Sequence, residues 1–254
     1  MNEITSVNNE LIKYTAKLSQ KKFRDESGLF LLEGVKAVEE AILCGIKIKD
    51  IFINKTNEKL LQKYVDNNVY VVNTKVLEKI TDAKSAPDII ASAYKFENDL
   101  SKIPAKNSSI LLLENIKDAG NLGTAIRTAS AFGIDGIVLV GETVDIFSPK
   151  VVRSTVGYLW KTPIFKTNDI TILKDYFKEH RVFATSVDKS LNLKSLKEAN
   201  IQTPCIIMFG SEAFGLSKEA LENADEYVTI PIKGDIESLN LSISIGIVLY
   251  EFKR

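Results

Sequence analysis

The chain has 254 residues, 45% of them apolar and 26% charged, and its 33 basic and 33 acidic side chains leave no formal net charge. That length accommodates two ordinary domains with separate cores, and zero net charge excludes nucleic-acid binding by bulk charge while leaving local patches open. No apolar run approaches a membrane span and the start, MNEITSVNNELIK, lacks a secretory signal, so a cytoplasmic protein without a membrane partner is expected. Cys44 and Cys205 lie far apart in apolar surroundings with no C-x-x-C pair; both are expected as reduced, buried thiols, and no metal site is expected.

From Asn8 to Arg24 a helical pattern carries Lys13, Lys17, Lys21, Lys22 and Arg24, with Tyr14 and Phe23 interleaved. Such a run reads equally as a solvated helix face or as a surface that tracks phosphates. An apolar strand, Leu29 to Leu32, follows, then a turn at Glu33 and Gly34 and a helix from Val35 to Leu43 ended by Gly45. Strands at Ile48 to Ile53, Val69 to Val72 and Ile89 to Tyr94 alternate with helices at Asn57 to Asp66 and Thr74 to Ile80, giving a small α/β domain over residues 1–100. The polar stretch Glu97 to Ser109, with Pro104, has no sustained periodicity and supplies a linker at 101–109.

The second domain, residues 110–254, opens with strand, loop, helix and strand between Ile110 and Val140, one βαβ unit. On its helix Leu122, Ala125, Ile126 and Ala129 form a face for packing on a sheet, whereas Gly123 and Arg127, four apart, share another face, leaving Arg127 free to meet a ligand. Asn121, Gly123 and Arg127 spell N-x-G-x-x-x-R where a helix start offers unpaired N–H groups. Ser148 and Pro149 read as N-cap and first residue of a helix that holds Arg153 and ends near Gly157. The lone His180 ends a helical segment from Asp169, where a partly cationic ring suits the helix dipole and a structural role is expected.

Strands follow at Val182 to Thr185 and Cys205 to Phe209, the second of the buried parallel kind. It empties into GSEAFGLS, Gly210 to Ser217, where two glycines flank Glu212 and Ser217 caps a helix from Lys218 to Asn223. The last stretch is a short strand ending in Ile230 and Pro231, a glycine-containing loop, and a helix that starts near Ser238 to Asn240 and runs on as apolar Leu241 to Tyr250. The tally predicts a parallel sheet covered by helices. No G-x-G-x-x-G follows a strand and no G-x-x-x-x-G-K-[ST] occurs, so neither a dinucleotide-binding fold nor a P-loop is indicated.

Three of these stretches resemble, in order, the motifs of the SpoU (TrmH-like) family of RNA ribose methyltransferases in the SPOUT superfamily: N-x-G-x-x-x-R at 121–127, G-x-E-x-x-G-L-S at 210–217 and I-P-x-x-G-x-x-x-S-L-N-x-S at 230–242. Arg153 to Gly157 is similar to a family segment R-x-S-x-G, with Thr155 where serine is usual, and Arg24, Gly28, Phe30, Glu33 and Gly34 match R-x-x-x-G-x-F-x-x-E-G, which opens an accessory RNA-binding domain. The resemblance implies an α/β fold whose carboxyl-terminal parallel-sheet domain carries a deep trefoil knot. It also implies S-adenosylmethionine bent among three loops and contacted by Thr185, Phe209, Gly210, Gly215, Ile230, Ile232, Ser238 and Leu239. Arg127 would stand near the ribose hydroxyl as electrostatic stabiliser or base, Asn121 would fix Arg127 or the ribose, and Glu212, Ser238 and Asn240 would shape the loops and the substrate phosphate. The implied partners are RNA and a second copy of the chain, docked through the helix from Leu241. The implied activity is RNA ribose 2′-O-methylation, on large-subunit ribosomal RNA because an accessory domain is present. The alternatives are a tRNA 2′-O-methyltransferase and a non-catalytic RNA-binding or ribosome-assembly factor of the same fold.

Overall fold

The computed structural model describes residues 2–64, 68–97, 99–233 and 236–254. The expected helix end at Asp66, Asn98 of the linker and Gly234 of the third motif lie outside the described residues. Two compact units emerge, Met1–Glu97 with Asp145–Trp160, and Asn98–Val144 with Lys161–Arg254. Among the described residues no helix is long and apolar enough to cross a membrane.

The first unit begins with β1 (Asn2–Ile4), α1 (Glu10–Lys17), α2 (Lys21–Ser27), β2 (Leu29–Glu33) and α3 (Val35–Leu43). It continues with β3 (Ile48–Asn54), α4 (Glu58–Lys63), β4 (Val69–Val72), α5 (Thr74–Ile80) and β5 (Ile89–Tyr94). The sheet order is β1-β4-β3-β5-β2, parallel from β1 to β3 and antiparallel at β5 and β2. Alternate residues Leu29 and Leu31 of β2, with Phe52 and Ile90, meet Ile12, Leu18, Val76, Leu77 and Ile80 from the helices in one core.

The helix expected from Asn8 to Arg24 is broken in two. Leu18 is buried, Gln20 is extended, and the carbonyls of Leu18 and Ser19 at the break need donors. Arg24 supplies them, at 2.9 and 2.8 Å, and its guanidinium also donates to the Asp145 carboxylate at 3.0 and 2.7 Å. Arg24 is therefore a buried structural cation. Lys21 and Lys22 are exposed but pair along α2 with Asp25 and Glu26, so much of the basic run is neutralised where it stands.

The second unit starts with β6 (Ser109–Glu114), α6 (Ala119–Ala131) and β7 (Gly136–Val140). The chain then rejoins the first unit through Asp145–Trp160, which contains α7 (Pro149–Thr155). This segment was expected in the second domain. Its partners explain the difference: Phe147 packs on Phe30 and Phe96 with ring centroids 5.0 Å apart in each case, and Arg153 pairs with Glu33 at 2.8 Å and with Asp82.

The second unit resumes with β8 (Ile164–Thr167), α8 (Ile172–Tyr176), β9 (Arg181–Thr185), β10 (Leu193–Ser195), α9 (Leu196–Ala199) and β11 (Cys205–Phe209). It ends with α10 (Lys218–Glu222), β12 (Glu226–Thr229) and α11 (Leu241–Lys253). All seven strands are parallel, in the order β10-β12-β9-β11-β6-β7-β8. Ile110, Leu112, Val138, Ile206 and Met208 bury one sheet face against Leu173, Phe177 and Ala220. The expected helix from Asp169 to His180 contracts to α8, and His180 is buried, not cationic: desolvation lowers its pKa. Cys44, expected to be buried, is exposed, whereas Cys205 is buried and its thiol pushed up to about 12 by desolvation.

Candidate active site

In the seven-stranded sheet β6 lies between β11 and β7. The chain leaves β6 towards β7 and leaves β11 towards β12 on the opposite side, so the two connections diverge at the carboxyl ends of adjacent strands. In open parallel sheets that crevice is where ligands bind.

Three sequence candidates meet there. Asp118 caps α6 by accepting the Asn121 N–H at 2.8 Å, which leaves the Asn121 side chain free for other partners. Its amide donates to Oε1 of Glu212 at 2.7 Å, and its carbonyl accepts from the Asn240 amide at 3.1 Å and from the Ser242 hydroxyl at 3.4 Å. Asn240 in turn caps α11, accepting the N–H groups of Ser242 and Ile243 at 2.9 and 3.4 Å. The chain Glu212–Asn121–Asn240 thus ties together the loops after β6, β11 and β12.

Arg127 stands apart from this chain. Six residues from Asn121 on a helix of 3.6 residues per turn, it projects about 120° away around the axis. It is exposed, and no hydrogen bond or ion pair among the described residues engages it. The structure does not join Asn121 to Arg127; it leaves the guanidinium open to solvent.

The loop after β11 closes tightly on itself. Ser211 and Gly215 exchange backbone hydrogen bonds of 3.0 and 2.9 Å, and a Cβ on Gly210 would lie 1.9 Å from the Gly215 carbonyl carbon. Only glycine fits there. At the loop's end the buried Glu114 carboxylate accepts the backbone N–H of Ser217 at 2.7 Å and its hydroxyl at 2.6 Å, while that hydroxyl caps α10 at the Ala220 N–H. Sequence reasoning overlooked Glu114 and Ser242. The signals were a carboxylate ending an otherwise apolar buried strand and the last hydroxyl of the third motif.

The remaining candidates line the same edge. Phe209 ends β11 in the core, Gly210 and Gly215 bracket the tight loop, Ile230, Ile232 and Leu239 are half-buried, and Ser238 is exposed between β12 and α11. The Thr185 hydroxyl is committed to the sheet, donating to the Met208 carbonyl at 2.8 Å. Glycine backbone beside apolar side chains, none of the eight charged, fits an uncharged adenosine moiety. Among the described residues no group of three or more His, Cys, Asp or Glu could hold a metal ion.

Residues 108–250 match the SpoU rRNA Methylase family and residues 9–91 the MRM3-like substrate binding domain. An uncharacterized tRNA/rRNA methyltransferase of Synechocystis is 34% identical, with 99% of this chain and 93% of that one covered. The 23S rRNA (guanosine(2553)-2′-O)-methyltransferase RlmP of Bacillus subtilis is 28% identical over the whole of both chains. The crystal structure of an AdoMet-bound rRNA methyltransferase from Sinorhizobium meliloti is similar with a TM-score of 0.87 and 33% identity, covering 98% of this chain and 96% of that one. The site at the divergence of β6 and β11 and the match over 108–250 give one result: the chain belongs to the SpoU rRNA methylase family, enzymes that use S-adenosylmethionine.

Proposed function

We propose that this protein methylates the 2′-oxygen of a ribose in large-subunit ribosomal RNA, working in the cytoplasm. The observation that carries the reading is the hydrogen-bonded chain Glu212–Asn121–Asn240, which fixes three loops around one crevice. The match of residues 9–91 to a substrate binding domain and the ribosomal substrate in the name of RlmP support the RNA class.

Gly210, Gly215, Ile230, Ile232, Ser238 and Leu239, with Thr185 and Phe209 behind them, would hold the cofactor by backbone and apolar contact. S-adenosylmethionine supplies an electrophilic methyl group. A ribose hydroxyl is a weak nucleophile until its proton leaves, and the protein's task is to orient it and stabilise the charge that develops on oxygen. Arg127 supplies a planar positive charge that stabilises the negative charge developing on the ribose oxygen. Asn121, held by Glu212 and Asn240, orients the ribose.

A second copy of the chain completes the assembly. Ile243, Ile247 and Tyr250 recur at helical spacing on α11 and are 55, 37 and 58% exposed, an apolar stripe suited to a symmetry mate.

The test is single-turnover methyl transfer to unmodified 23S ribosomal RNA at saturating cofactor, with the product mapped for ribose methylation. Arg127→Ala should lower the rate about a hundredfold or more, leaving the melting temperature unchanged because the side chain is exposed. Arg127→Lys should rescue poorly, since a point charge does not reproduce the planar fork. Near-normal transfer by the Ala variant would remove Arg127 from the mechanism.

A further inference from the structure

The side chain of Phe214 is 91% exposed, more than any other large apolar side chain among the described residues. Full exposure of a phenyl ring forgoes about 2 kcal/mol of burial. The ring is not on a loose segment. It belongs to the loop closed by the Ser211–Gly215 bridge, its own N–H donates to the Ser211 hydroxyl at 3.2 Å, and the Gly210 backbone abuts Gly215 too closely for any side chain. Two residues before it, Glu212 is bonded to Asn121. A rigid loop therefore holds an aromatic ring in solvent beside the polar chain that defines the crevice.

We propose that Phe214 is a substrate-positioning residue that stacks on a base of the RNA next to the ribose to be methylated. The inference rests on the methyltransferase reading above. A phenyl ring has no strong donor or acceptor, so it reads no base edge; it offers a π-face, which every base can cover. Because bases in a duplex are already stacked on one another, the surface selects a single-stranded or looped target with an unstacked base. Holding the ring in place beforehand reduces the entropy lost when the base docks. The loop after β12 adds a second exposed apolar side chain, Ile236, four residues before Asn240.

The experiment is steady-state methyl transfer to unmodified ribosomal RNA transcripts by wild type, Phe214→Ala and Phe214→Trp. Each protein is also titrated calorimetrically with S-adenosylmethionine and its mass in solution measured. Phe214→Ala should raise KM for RNA about tenfold, the scale of losing one stacked base, and change kcat much less, because the contact is the same in ground and transition states. Phe214→Trp should keep KM near the wild-type value. An unchanged KM in the Ala variant would overturn the inference while leaving the enzyme's function standing. Weakened cofactor binding would assign the ring to the cofactor, and a lower mass would assign it to the partner subunit; either result also overturns it. Wild-type protein that methylates no RNA would overturn the proposed function, and this inference with it.

Discussion

The Ser108 hydroxyl lies 2.6 Å from the Pro104 carbonyl oxygen and 2.8 Å from Nε2 of His180. A hydroxyl has one proton and the carbonyl can only accept, so Nε2 of the ring carries its hydrogen and donates to Ser108. Nδ1 is left as a buried lone pair with no partner among the described residues. A second proton would have to enter a desolvated site, and burial holds the His180 pKa below the ordinary value.

His180 should therefore make folding acid-sensitive. With the folded pKa below an unfolded value of about 6.5, the unfolded chain takes up the proton first. The stability of the neutral ring is complete above that pH and is lost as pH falls below it. His180 is the only histidine in the chain, so urea unfolding of His180→Gln should show a flatter pH dependence between about pH 7 and pH 5 than wild type. Parallel curves would mean that the ring titrates alike in both states.

Gly210 and Gly215 predict opposite responses to the same substitution. Gly210→Ala forces a methyl group to within 1.9 Å of backbone that cannot yield, so the loop must open. Gly215→Ala meets open space and suffers only the strain of a positive φ of 69°, about 1–2 kcal/mol. Calorimetry should show cofactor affinity reduced more than tenfold in Gly210→Ala, the scale set by about 1.4 kcal/mol, and far less in Gly215→Ala. Wild-type affinity in Gly210→Ala would detach this loop from the cofactor.

Arg24 predicts a stability effect without a cofactor effect. Its side chain is 3% exposed, and removing one member of a buried ion pair leaves the other charged and unmatched. Arg24→Met should cost about 3–5 kcal/mol in the first unit while S-adenosylmethionine binding, proposed for the second, should be retained. A loss below about 1 kcal/mol would reduce the Arg24–Asp145 pair to a surface contact.

Local patterns carried much of this structure. Strands such as Val69–Val72, Ile89–Tyr94 and Cys205–Phe209 announce themselves as apolar runs, and Asn240 and Ser217 are legible as caps because their side chains serve N–H groups two or three residues away. The meeting of Asn121, Glu212 and Asn240 is a long-range event, and only the order of motifs hinted at it. Arg24 misled because a basic residue in a basic run reads as solvated; its burial depends on a carboxylate and two carbonyls that no periodicity reveals. The short edge strands Asn2–Ile4 and Leu193–Ser195 are set by pairing with β4 and β12, not by their own composition.

The return of Asp145–Trp160 to the first unit sets an order of events during synthesis. Arg24 precedes its counter-ion by 121 residues and Glu33 precedes Arg153 by 120. At translation rates of 5–20 residues per second the wait is roughly 6–24 s. Through that interval a nascent chain carries a guanidinium without Asp145 and a Phe30 ring without Phe147, while β6, α6 and β7 are being made. The unit that emerges from the ribosome earlier is finished by a segment translated more than a hundred residues after the side chains it completes.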